Sequence, residues 1–137
     1  GRGVFSNFDS ASRRVLRAAE QECRNHSHYY VGVEHLLLAL LDERDDAIAA
    51  ELAAGNIDAG AVHAEIRRSF VTGEERAWEG ILLTPRLRKI VALAETRAPD
   101  REIAPFDLFE ALREEGGSLA AEVLRQAAAH NASTRAE

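Results

Sequence analysis

One cysteine, one tryptophan and three prolines are all that 137 residues hold of the types that staple or sharply bend a chain, and aromatic residues reach only 6%. With Cys23 alone, no internal disulfide can form, which fits a reducing compartment. So few aromatics and prolines argue against a sandwich or barrel. No run approaches the roughly 18 to 20 apolar residues of a membrane span, and no basic and apolar leader is present, so a cytoplasmic location is expected. The net charge is -6, and the basic residues never gather into one segment, which makes nucleic acid a poor partner. None of the nine glycines opens a Gly-x4-Gly-Lys-Ser/Thr loop, the backbone cradle that ATP phosphates need.

What is present is a chain 46% hydrophobic and 29% charged, rich in Ala and Leu, with the length of one domain. The pattern is helical. Phe8, Ala11, Val15, Ala18, Ala19 and Cys23 recur three or four apart behind Asp9, a suitable N-cap, and predict a helix to about Asn25. Val33, Leu36, Leu37, Leu40 and Leu41 form the clearest stripe, ending in Asp42-Glu-Arg-Asp-Asp46. A third helix is expected from about Asp46 to Ala54, closed by Gly55-Asn56, and a fourth behind Asp58 with Val62, Ile66 and Phe70 inward. Residues 72–82 read as a connection, in which Trp78 is a candidate partner contact or a cover for the seam between repeats.

The first pattern then returns. Leu83-Thr-Pro-Arg-Leu-Arg-Lys-Ile-Val-Ala-Leu-Ala-Glu95 matches Phe8-Asp-Ser-Ala-Ser-Arg-Arg-Val-Leu-Arg-Ala-Ala-Glu20, and Thr84-Pro85 is a strong N-cap and first-position pair. Leu108-Phe-Glu-Ala-Leu112 matches Leu36-Leu-Leu-Ala-Leu40, and Ala120-Ala-Glu122 matches Ala49-Ala-Glu51. An internal duplication explains all three. The expectation is one all-α domain over 1–137, with repeat one at about 8–71, a linker at 72–82, repeat two at about 83–128 and a polar tail at 129–137. The opening Gly1-Arg2-Gly3, without methionine, suggests a piece of something longer.

A tyrosine followed by Gly32-Val-Glu-His-Leu-Leu-Leu38, at this distance from a Phe-led helix, resembles the double Clp repeat. That repeat is the amino-terminal domain of ClpA, ClpB and ClpC type AAA+ unfoldases, and the ClpC type is nearest. The resemblance covers about residues 5 to 128. It implies a pseudo-twofold bundle of two four-helix units, seven to eight helices here because the eighth looks truncated. It also implies a module that binds substrate proteins, adaptor proteins or small peptides, not an enzyme, with no cofactor.

Two ligand modes follow from the resemblance. Glu34 stands where ClpC-type domains can recognise phosphoarginine, a carboxylate being able to accept two parallel bonds from a guanidinium; the plain alternative is a first-turn glutamate favoured by the helix dipole. Val33 replaces the family's threonine, Asp9 stands where threonine is usual, and repeat two has Thr84 but Phe106 in the glutamate's place, so each repeat carries only part of the motif. The second mode is the binding of cyclic peptides by Phe5, Leu83 and Arg88, whose plain alternative is helix-entry packing and a solvated cation. Apolar or cyclic peptides are therefore the expected ligands ahead of phosphoarginine.

His26, His28 and His35, with Glu34 nearby, raise the question of a metal site, but they lack the His-Glu-x2-His spacing that puts two ligands on one helix face, and no metal is expected. Cys23 on an apolar helix face reads as core. The rival functions are a small metal- or thiol-dependent enzyme built on these residues and a helical DNA-binding regulator.

Overall fold

The computed structural model describes residues 7–28, 30–70 and 82–136, with side chains through 129. Phe5 and Trp78 lie outside the described residues. Acidic caps start three of the first four helices. Asp9 accepts the Ser12 N–H at 2.7 Å and opens α1 (Ser10–Asn25). After β1 (Tyr30–Val31), α2 covers Val33–Glu43 behind Gly32. Asp45 opens α3 (Asp46–Ala54) and Asp58 opens α4 (Ala59–Ser69), each carboxylate bonding first-turn N–H groups that would otherwise lack partners. After β2 (Leu82–Leu83), Thr84 caps α5 (Pro85–Arg97) with Pro85 in its first turn; α6 (Pro105–Glu115) and α7 (Leu119–Ala136) complete the described chain. Of the expected Gly55-Asn56 pair it is Asn56 that turns left-handed, at φ 56°. Gly116, at φ 69°, closes α6 in the conformation that suits glycine.

Three readings gain detail. Leu82 belongs to β2 and not to the connection expected over 72–82. Residues 129–136, read as a polar tail, continue α7, because an alanine-rich run stays helical even when it has no apolar stripe. The wide apolar face of α2 is core, and burial extends beyond it: Leu38 and Ala39 are buried along with Leu36, Leu37 and Leu40, while Leu41 is only half-buried. This helix is enclosed, and its sequence is apolar nearly all round for that reason.

The two repeats meet through helix entries. β1 and β2 pair in parallel, Tyr30 opposite Leu82 and Val31 opposite Leu83, and the Thr84 N–H donates to the Val31 carbonyl at 3.1 Å. The duplication maps this contact onto a second one, in which Phe8 pairs with Ile103 and the Asp9 N–H donates to the Ile103 carbonyl at 3.0 Å. The buried Ser12 hydroxyl adds a bond to the same carbonyl at 2.8 Å. Each repeat's first helix thus enters beside the other repeat's second helix. Between them lies one core, in which α1 packs on α2, α5 packs on α6, and Leu16, Leu36, Leu87, Val91 and Leu108 meet Phe8 at the seam.

Leu37 is fully buried in this shared core. Leu37→Ala is therefore expected to cost roughly 2 to 5 kcal/mol and to lower one cooperative transition, followed by calorimetry and denaturant unfolding. Two separate transitions in the wild type would contradict a single core.

Candidate functional site

Two-residue strands expose one side chain and bury the next, and here the period decides which residues face outward. Val31 and Leu83 turn into the core, whereas Tyr30 and Leu82, register partners, are 49% and 45% exposed. Leu83 is thus a core residue in this fold, and Leu82 is the aliphatic that the strand presents. Leu119, at the start of α7, is 47% exposed. These three are the large exposed hydrophobic residues among those described, and each stands at a helix entry.

Charged groups connect the entries. Glu34, in the first turn of α2, is half-buried, and its carboxylate accepts the Ala120 N–H at the start of α7. Burial raises its pKa above the ordinary carboxyl value, opposed by that bond and by the nearby charge of Arg86. Arg86, in the first turn of α5, gives one nitrogen to both oxygens of Glu115 at 2.9 and 2.8 Å. It passes so close to Gly117 that a Cβ there would fall 2.0 Å from Nη1, and a side chain at 117 would push the guanidinium aside. Thr84 lies against Gly32, where a Cβ would stand 3.6 Å from the threonine methyl. The sequence had set Glu34 with Asp9 and Thr84 with Phe106. The crossed entries rearrange this: Thr84 stands beside the α2 entry that carries Glu34, and Asp9 beside the α6 entry that carries Phe106. Arg88 is exposed on α5.

The second helices are capped alike but by different chemistry. Asp107 accepts the Ala104 N–H at 2.9 Å and holds Arg101 through both guanidinium nitrogens at 2.5 and 2.7 Å. Burial works to raise the Asp107 pKa, but these bonds and the charges of Arg101 and Arg97 outweigh it and hold the carboxyl below its usual range. His35 takes the same place in repeat one, where Nδ1 accepts the Gly32 N–H at 2.9 Å. Its Nε2 meets His28 Nδ1 at 2.8 Å.

The structure does gather the three histidines, around Phe70 at the end of α4: ring centroids lie 4.7, 5.3 and 4.9 Å away for His26, His28 and His35. Beside them the buried Glu22 accepts Arg67 at 2.8 Å and lies 3.5 Å from His26. Two ring nitrogens are committed to each other and a third to a backbone N–H, and among the described residues no three His, Cys, Asp or Glu side chains are placed to hold a metal ion. Burial pushes the Cys23 thiol up to about 11, and the sulfur donates to the His28 carbonyl at 3.1 Å. Sequence reasoning missed Glu22, whose place on the inward face of α1 was its only signal.

Comparison with known proteins matches residues 7–127 to the family described as the Clp repeat (R) N-terminal domain. A ClpA homolog of Porphyra purpurea, named as an ATP-dependent Clp protease ATP-binding subunit, is 28% identical over 137 residues, 98% of this chain and 17% of its own length. The chloroplastic chaperone protein ClpC of Pisum sativum is 27% identical over 139 residues, 99% of this chain and 15% of its own. The chain therefore spans about a sixth of these relatives. Among solved structures, the N-domain of ClpV from Vibrio cholerae superposes with a TM-score of 0.70 at 18% identity, covering 90% of this chain and 78% of that one. The N-terminal domain of ClpD from Arabidopsis thaliana gives 0.58 at 17%, covering 97% and 99%. At such identities these two structures speak to fold alone.

Burial lowers the His35 pKa to about 4, with His28 and His26 adding to the effect. The unfolded chain takes up this proton near the ordinary value of about 6.5, so the unfolded state binds more protons between the two values. Stability is then full above about 6.5 and falls as the pH drops toward 4. Denaturant unfolding across this window is expected to show that slope, and His35→Asn, which keeps an acceptor for Gly32, to flatten it. An equal slope in the variant would refute the assignment.

Proposed function

The chain belongs to the Clp repeat (R) N-terminal domain family, and we propose that it binds substrate proteins, adaptor proteins or small peptides for an ATP-dependent unfoldase, or captures such ligands as a separate protein. The observation that carries this reading is the surface at the α2, α5 and α7 entries, where Tyr30, Leu82 and Leu119 offer apolar contact around Glu34 and Arg86. Apolar side chains beside a few fixed polar groups are what recognition of an unfolded segment needs. Arg88, with Phe5 from outside the described residues, extends the proposed surface to cyclic peptides.

Phosphoarginine is the less favoured ligand. The Glu34 carboxylate already serves the Ala120 N–H and has Arg86 for a neighbour, so an incoming guanidinium would compete with both. The reading of a binding module and not an enzyme is supported by Cys23, whose raised pKa leaves little thiolate at neutral pH. The proposed setting is the cytoplasm.

Binding is tested with reduced, carboxymethylated α-lactalbumin as an unfolded apolar probe, and with free phosphoarginine. Tyr30→Ser, Leu82→Ser and Phe5→Ala are each expected to weaken the apolar probe by about 1 kcal/mol or more, the scale of an interface anchor. Calorimetry with ATP is expected to give no heat of binding. Phosphoarginine binding that exceeds probe binding and vanishes in Glu34→Ala would sink the preference.

A further inference from the structure

The α2 entry is held by a chain of hydrogen bonds whose protons can be counted. His35 Nδ1 accepts from the Gly32 N–H, so the neutral ring carries its proton on Nε2 and donates it to His28 Nδ1. The neutral His28 then carries its own proton on Nε2. Each acceptor nitrogen is in use, and there is no free position for another proton. A proton added to His28 Nδ1 sets N–H against N–H across 2.8 Å, and one added to His35 Nδ1 sets N–H against the Gly32 N–H. Repeat two performs the same capping with Asp107, which needs no neutral imidazole and is clamped by Arg101.

The described groups that face the pair come from three helices. From α1 and its following turn the facing groups are Glu22, Cys23 and His26; from α4 they are Arg67 and the Phe70 ring; from α2 the next residue is Glu34. Among the described residues Glu22 is the anion on the histidine side; Arg67 occupies one of its oxygens, and the other lies 3.5 Å from His26. The cap under threat is that of Gly32, against which Thr84 packs, two residues before Glu34.

We propose that the His28–His35 contact is a proton-sensitive latch on the α2 entry: adding a proton to the pair releases the Gly32 cap and weakens the adjoining ligand surface, while the α6 entry stays closed. The part concerning ligand rests on the binding surface proposed above; the part concerning the cap does not.

The test follows the amide resonances of Gly32 and Ala104 and the ring resonances of His28 and His35 from pH 7.5 to 4, in wild type and His35→Asn, with circular dichroism confirming that both stay folded. The Gly32 amide is expected to move with the ring titration in wild type and not in the variant, while Ala104 does not follow it. Over the same range, affinity for carboxymethylated α-lactalbumin is expected to fall at least about threefold more in wild type than in His35→Asn, the scale of a lost helix cap. A Gly32 amide that ignores the ring titration would overturn the latch. A Gly32 response with equal pH dependence of binding in both proteins would overturn its link to the surface. Absence of probe binding at every pH would count against the binding surface and the link together, and the amide data would still decide the latch.

Discussion

Two backbone hydrogen bonds, from Thr84 to Val31 and from Asp9 to Ile103, set the arrangement on which everything else depends. The entry to a helix inside a protein leaves N–H groups that the helix does not satisfy, the residues leading into it carry carbonyls in the same position, and unpaired groups there are costly. The fold resolves this by pairing the entry of each repeat's first helix with the entry of the other's second. With those pairs in place, α1 packs on α2, α5 packs on α6, and α2 meets α6. The side chains at the entries are then fixed as a group, which is why Tyr30, Leu82 and the Glu34 region can form one surface although they come from both repeats.

Much of the helical plan was legible because helix starts are local. Asp9, Asp58 and Thr84-Pro85 announce their helices by residue type, and the duplication follows from matched runs. The crossing was not legible, because a pair of two-residue strands has no periodicity to read and its partner lies some fifty positions away. The same gap hid the exchange between Leu82 and Leu83, whose roles depend on a register that only the partner strand sets. For the candidate surface, Glu34 stood out by its motif. Its bond to Ala120 depends on where α7 begins, and nothing in the neighbourhood of Glu34 encodes that.

The repeats have kept their geometry and parted in their chemistry. His35 and Asp107 perform one capping task with groups of different charge, a neutral imidazole and a carboxylate, and the residues around each fit the choice: imidazoles and Phe70 beside the first, Arg101 and Arg97 beside the second. Glu34 and Phe106 differ in the same way, one carrying charge and the other an aromatic ring. What lies at one entry therefore cannot be inferred from the other, even where the backbone is shared.

The crossed entries also say what an unduplicated ancestor would have required. A lone unit holds a donor at its first entry and a receptor carbonyl at its second, and it cannot join them to each other in this geometry. Two free copies would exchange them across a twofold axis, as a symmetric dimer that forms only when enough chain is present. Fusing the copies makes that exchange internal and independent of concentration. It also lifts the requirement that both partners be identical, and from then on one half can be altered while the other keeps the old form.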